Sequence, residues 1–139
     1  MNTKIKQAII GGIVASIAMS IFMFLITFVG LPKMNPPAVL SGMMGMPLIV
    51  GWILHLMIGV IFALTYALLL FNLIIKSGGV VIRGLIFGVI VFIFAQIAFA
   101  ALGAIMGGMP APEGSMAPMI IGSLLSHIIY GLTVTFFVK

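Results

Sequence analysis

Four runs of apolar residues, at 8–29, 48–73, 85–105 and 119–138, are separated by segments that hold most of the prolines, many of the glycines and nearly every charge. Each run reaches the ~20 residues that carry an α-helix across about 30 Å of hydrocarbon. The apolar residues fall on every face, whereas a membrane barrel strand alternates apolar and polar positions. The pattern predicts an all-α membrane protein with four transmembrane helices in an up-down-up-down bundle. Residues 1–139 then form a single membrane domain in contact with the lipid bilayer.

Prolines 32, 36, 37 and 47 in the first connection, and 110, 112 and 118 in the third, are expected to stop the helices, because proline lacks an amide donor and restricts the residue before it. Between them, "KSGGVVIR" at 76–83 reads as a short turn. The first run follows Lys4 and Lys6 as a signal peptide would. It is longer than a typical signal core and no small-x-small cleavage site precedes "LPKMNPP", so a retained helix is expected.

Charge then sets an orientation. Lys4, Lys6, Lys76, Arg83 and Lys139 fall on one side of a four-span chain, which predicts cytoplasmic N- and C-termini. The other side receives the loops at 30–47 and 103–119, with Lys33 and the only acid, Glu113. Six scattered cations are read as topology signals despite a pI near 10.1, so no nucleic-acid partner is expected. Only 5% of residues are charged, against about a quarter in soluble domains, in keeping with a membrane chain. Cysteine is absent, which excludes disulfides and thiolate chemistry.

Sliding the chain by 72 residues superimposes its rarer residues: Gly12 on Gly84, Met34 on Met106, Gly42 on Gly114, Met44 on Met116, His55 on His127 and Gly59 on Gly131. Two tandem helical-hairpin repeats in parallel orientation are expected, about 1–72 and 73–139. Small residues recur every four positions, as Gly51, Gly59, Ala63 and Ala67 in the second run and Ser123, Gly131 and Thr135 in the fourth. Gly12, Ser16 and Ser20 do the same in the first, while Gly84, Gly88, Ala100 and Ala104 mark the third. Such stripes allow close helix crossings and leave surface for a membrane-protein partner or a homo-oligomer.

His55 and His127 interrupt two of these stripes, eight or nine residues inside their runs, about 12 Å below the outer edge of the hydrocarbon. An intramembrane histidine is costly and faces a bundle interior or a water-filled cavity. Two readings follow: a hydrogen bond to Ser16, Ser20, Ser123, Ser126 or Tyr66, or a candidate ligand pair. No Asp or Glu lies within any span, and no G-x-S-x-G or phosphate loop occurs, so hydrolytic and carboxylate-relay chemistry lack their residues and no enzyme is expected. Imidazoles at one depth suit a b-type haem or copper. Met34, Met43, Met44, Met46, Met106, Met109, Met116 and Met119 in the outer loops add thioethers selective for Cu(I), or serve as apolar filler. Gln96, the one amide inside a span, is expected to bond a neighbouring helix, and Trp52 to anchor at the interface.

The stretches "LPKMNPPAVLSGMMGMP", "GWILHLMIGVIFALTYALL" and "GSLLSHIIYGL" resemble a family of small bacterial four-span membrane proteins, a domain of unknown function. The resemblance implies a bacterial four-helix membrane protein and no particular activity. The expected function is that of a non-catalytic membrane subunit or accessory protein that packs into a larger complex or self-associates. The alternative is a Cu(I)-handling or haem-binding protein using the two histidines.

Overall fold

The computed structural model describes residues 3–108 and 115–139, and among them there is no strand. Four helices are long and apolar enough to cross a membrane: Thr3–Val29, Leu48–Ser77, Val80–Ile105 and Met116–Phe137. They are the first to fourth spans of a multi-pass membrane protein.

The connections differ from the sequence expectation in two places. Asn35-Pro36-Pro37 starts a helix, Pro36–Met44, instead of only ending one. The Asn35 side chain accepts a hydrogen bond from the Ala38 amide at 3.1 Å, and the prolines occupy the first turn, where no amide donor is missed. This loop helix lies on the second span, where Gly51 admits the Pro37 carbonyl so closely that a Cβ there would overlap it. The turn between the second and third spans is also tighter than 76–83. It consists of Gly78 and Gly79, with Gly78 at φ 144°, a backbone conformation that side chains disfavour. Arg83 therefore sits inside the third span, one turn from its start. The second span reaches the turn through an α segment to Thr65, a π segment at Tyr66–Leu70, and short α and 3-10 turns.

Close packing follows the small residues. On the second span Gly51, His55, Gly59, Ala63 and Ala67 are all buried, together with Tyr66. A Cβ on Gly12 would press on Val60 and Ala63; a Cβ on Gly84 would press on Leu132 and Thr135, which are the same positions 72 residues later. Likewise Gly59 faces Gly12 and Ser16, and Gly131 faces Gly84 and Gly88. With lipid tails as apolar as the side chains, such backbone approach is what gives helices net attraction in a bilayer. On the third span the close face is made by Gly84, Phe87, Gly88 and Val91, while Ala100 and Ala104 are exposed rather than at a crossing.

The first span packs on both the second and the fourth, and the third packs chiefly on the fourth. The spatial order is second, first, fourth, third. In its most apolar window the third span is only 17% buried, against 39% for the first and the fourth, so it is the outermost element. The second and third spans meet where the Tyr66 and Phe87 rings pack 4.7 Å apart. Above that contact they diverge, and a cavity opens between them.

Candidate functional site

Ser16, Met19 and Met23 lie on one face of the first span because steps of three and four residues return to the same side of a helix. His55, Gly59 and Phe62 do so on the second span, Val91, Ala95 and Phe99 on the third, and Met119, Ser123, His127 and Tyr130 on the fourth. These faces enclose one cavity of about 720 Å³, roofed by the segment from Lys33 to Gly42 that includes most of the loop helix. Ile58 and Gln96 line it and are also exposed, which marks an opening between the second and third spans.

Both histidines line this cavity and each is 8% exposed. Their hydrogen bonds differ. His127 Nδ1 lies 2.7 Å from the Ser123 carbonyl, one turn back on its own helix, and the Phe92 ring meets its imidazole edge-on at 5.8 Å. A carbonyl only accepts, so Nδ1 carries the hydrogen, and a neutral ring keeps its lone pair on Nε2. His55 Nε2 instead lies 3.2 Å from the Ser20 hydroxyl of the first span. That hydroxyl donates its single hydrogen to the Ser16 carbonyl at 2.8 Å, so it accepts from Nε2–H, and the His55 lone pair rests on Nδ1. Position for position, Ser20 in the first hairpin corresponds to Phe92 in the second, which is why only His55 is held from a neighbouring span.

Tyr130 ties the halves together: its hydroxyl donates to the Gly59 carbonyl of the second span. Ser126 bonds to its own helix at Gly122, and Tyr66 lies in the ring cluster below the cavity with Phe71 and Phe87, so neither serves as a histidine partner. Trp52 packs edge-on against His55 with centroids 6.1 Å apart, which gives it a contact beyond interfacial anchoring. Gln96 makes no hydrogen bond to a neighbouring helix among the described residues; it is exposed and lines the cavity instead.

The loop methionines do not assemble. Met34 and Met119 reach the cavity, while Met44, Met46, Met106 and Met116 are exposed and Met43 does not line it. Met109 lies outside the described residues. Two thioethers that sequence reasoning overlooked, Met19 and Met23, do line the cavity. The available signal was their register: a shift of 72 carries Met19 onto Val91 and Met23 onto Ala95, which line it too. Among the described residues no three His, Cys, Asp or Glu side chains gather as a metal site would need. Among the described residues the polar groups lining it are two imidazoles, thioethers, hydroxyls, the amides of Asn35 and Gln96 and the Lys33 ammonium. They can hydrogen-bond a polar group or ligate a soft metal, and no described residue lining the cavity supplies a carboxylate.

The chain belongs to a family of unknown function, DUF6789, whose model matches residues 2–139. No curated protein and no solved structure matches it.

Proposed function

We propose that this is a non-catalytic integral membrane protein that holds a small, largely apolar molecule with one hydrogen-bonding end in the cavity between its spans. One observation carries the reading: His55 and His127, far apart in sequence and on different spans, line the same cavity of about 720 Å³. Ligand cavities of about 300–1,000 Å³ with apolar walls and a few convergent polar groups are what drug-sized organic molecules occupy. The polar groups here are the His127 Nε2 lone pair, the Gln96 amide and the Ser123 hydroxyl, and the opening beside Gln96 admits a ligand from the bilayer.

A copper ion needs no such volume, but the thioethers of Met19, Met23, Met34 and Met119 beside His127 favour Cu(I) as the second reading. A haem held by both histidines is less well supported, because His55 Nε2 is already spent on Ser20. The exposed third span supports attachment to a membrane-protein partner or to a second copy. Equivalent glycine contacts at a spacing of 72 residues support an origin by hairpin duplication, with the two hairpins in parallel orientation. The distribution of Lys4, Lys6, Lys76, Arg83 and Lys139 supports cytoplasmic termini in a bacterial inner membrane. A reporter fused after Lys139 is expected to be active on the cytoplasmic side.

The test is a gently solubilised, natively expressed sample examined by mass spectrometry for bound small molecules, with an absorption spectrum, metal analysis and identification of co-purifying proteins. A stoichiometric organic molecule is expected, lost in His127→Ala and in Ala95→Phe, which fills the cavity. Stoichiometric copper or a Soret band lost with the histidines would select the metal or haem reading. An empty protein that always purifies within a larger assembly would replace both with a docking role.

A further inference from the structure

Inside a bilayer no water competes for a hydroxyl hydrogen, and the carbonyl one turn back along the helix is its nearest acceptor. Ser16, Ser20, Ser126 and Thr133 each donate to the carbonyl four residues before them. Ser123 departs from this pattern. Its Oγ lies 3.5 Å from His127 Nδ1, and among the described residues no carbonyl takes its hydrogen. His127 Nδ1 carries the hydrogen of its ring and donates it to the Ser123 carbonyl at 2.7 Å, so toward this nitrogen the Ser123 hydroxyl can only accept. Its own hydrogen is left for a group in the cavity, which Ser123 lines.

The opposite polarity stands one turn further along the same helix. Both hydrogen bonds of His127 among the described residues are made at Nδ1, so Nε2 presents an unshared pair on a side chain that is 8% exposed. A step of four residues keeps Ser123 and His127 on one face, and the wall of the cavity therefore offers a donor and an acceptor side by side. Other groups of the wall spend their hydrogens within the protein. His55 gives its N–H to Ser20, Tyr130 its O–H to the Gly59 carbonyl, and Ser16 its O–H to the Gly12 carbonyl. Gln96, Asn35 and Lys33 can donate as well, but they belong to the opening and the roof.

A ketone, an ether or an ester carries lone pairs alone. It would satisfy Ser123 and leave the His127 nitrogen buried and unpaired, which lowers affinity. A hydroxyl group answers both, because it donates its hydrogen to Nε2 while its oxygen accepts from Ser123. We propose that the cavity selects an apolar molecule ending in a hydroxyl group, held between His127 Nε2 and Ser123 Oγ. This rests on the reading of the cavity as a small-molecule site and adds the polarity of the ligand's end. Of two molecules with one skeleton, the site takes the alcohol over the ketone or ether.

The test titrates the full chain, in phosphatidylcholine nanodiscs, with para-octylphenol and with its methyl ether para-octylanisole, which lacks the hydrogen-bond donor. Occupancy is read by native mass spectrometry at equal mole fraction in the bilayer, and the His127 nitrogens are followed by nitrogen-15 NMR. The phenol is expected to bind on the order of tenfold more tightly than the ether, and to shift Nε2 while Nδ1 keeps its hydrogen. His127→Phe retains a ring and removes the acceptor, so it should bring the phenol down to the affinity of the ether. Ser123→Ala should weaken both probes and preserve the preference between them. The comparison of the two probes on the unaltered chain decides the matter even if His127→Phe fails to fold. A phenol that binds no better than the ether, with both lost in Ala95→Phe, overturns the hydroxyl assignment and leaves the cavity a ligand site. Binding that Ala95→Phe does not reduce places the probes elsewhere and overturns both readings.

Discussion

In the first hairpin Gly12 crosses the second span against Val60 and Ala63, with Gly59 against Ser16; in the second, Gly84 crosses the fourth span against Leu132 and Thr135, with Gly131 against Gly88. These crossings match position for position, yet the histidines they flank are held in opposite ways, His55 by a neighbouring span and His127 by its own helix. The halves also meet unevenly, since the first and fourth spans are packed while the second and third part around the cavity. Tight crossings tolerate only small residues and therefore repeat. Residues lining an opening are under no such packing demand, and it is there that Ser20 and Phe92 differ.

The largest effect should come from testing how equal the crossings are. A methyl group at Gly131 would meet backbone atoms of Gly84 and Gly88, which cannot move aside, whereas at Gly59 it would meet first the Ser16 side chain, which can rotate. Gly131→Ala should therefore cost roughly 3 kcal/mol and Gly59→Ala about 1 kcal/mol, read as shifts in unfolding midpoint in detergent titrations. Equal losses would mean that Ser16 is as immobile as backbone.

A smaller effect separates the histidines. Ser20→Ala removes the Ser20 side-chain hydrogen bond to His55 from the first span and should cost about 1 kcal/mol, near the upper part of the range measured for such bonds in membranes. Alanine at Ser123 leaves the carbonyl that holds His127 in place and should cost less. Nitrogen-15 NMR of the imidazoles should show Nε2–H at His55 and Nδ1–H at His127. The same tautomer at both would erase the distinction between the halves.

The spans, the crossing stripes and the in-phase histidines were legible in the sequence because each leaves a periodic mark: an apolar run, a small residue every fourth position, a match at a fixed spacing. The loop helix was legible in principle, since Asn35 before two prolines is a helix start, but the prolines were read only as stops. The cavity was not legible. It arises because the third span packs on the fourth and not on the second, a choice between two apolar faces that hydrophobicity cannot rank. With the cavity hidden, nothing set Met19 and Met23 apart from the other apolar residues of their run, and Gln96 was expected to bond a neighbouring helix.

The smallest predicted effect bears on a hydrogen bond that joins the halves at the cavity wall. Tyr130 occupies the place that Ile58 holds in the first hairpin, so its hydroxyl has no counterpart there. Its acceptor, the Gly59 carbonyl, lies inside the second span, where a helical hydrogen bond is already available to it. Tyr130→Phe therefore strands no buried group and should cost only about 0.6 kcal/mol, the average for inter-helix bonds in a membrane protein. Its effect on cavity ligand should be larger than its effect on stability, because Tyr130 lines the cavity beside Ser123 and His127. Unfolding midpoint and ligand retention measured on the same preparation separate the two: a drop in stability with ligand unchanged would make Tyr130 a strut between hairpins, and the reverse would make it part of the site.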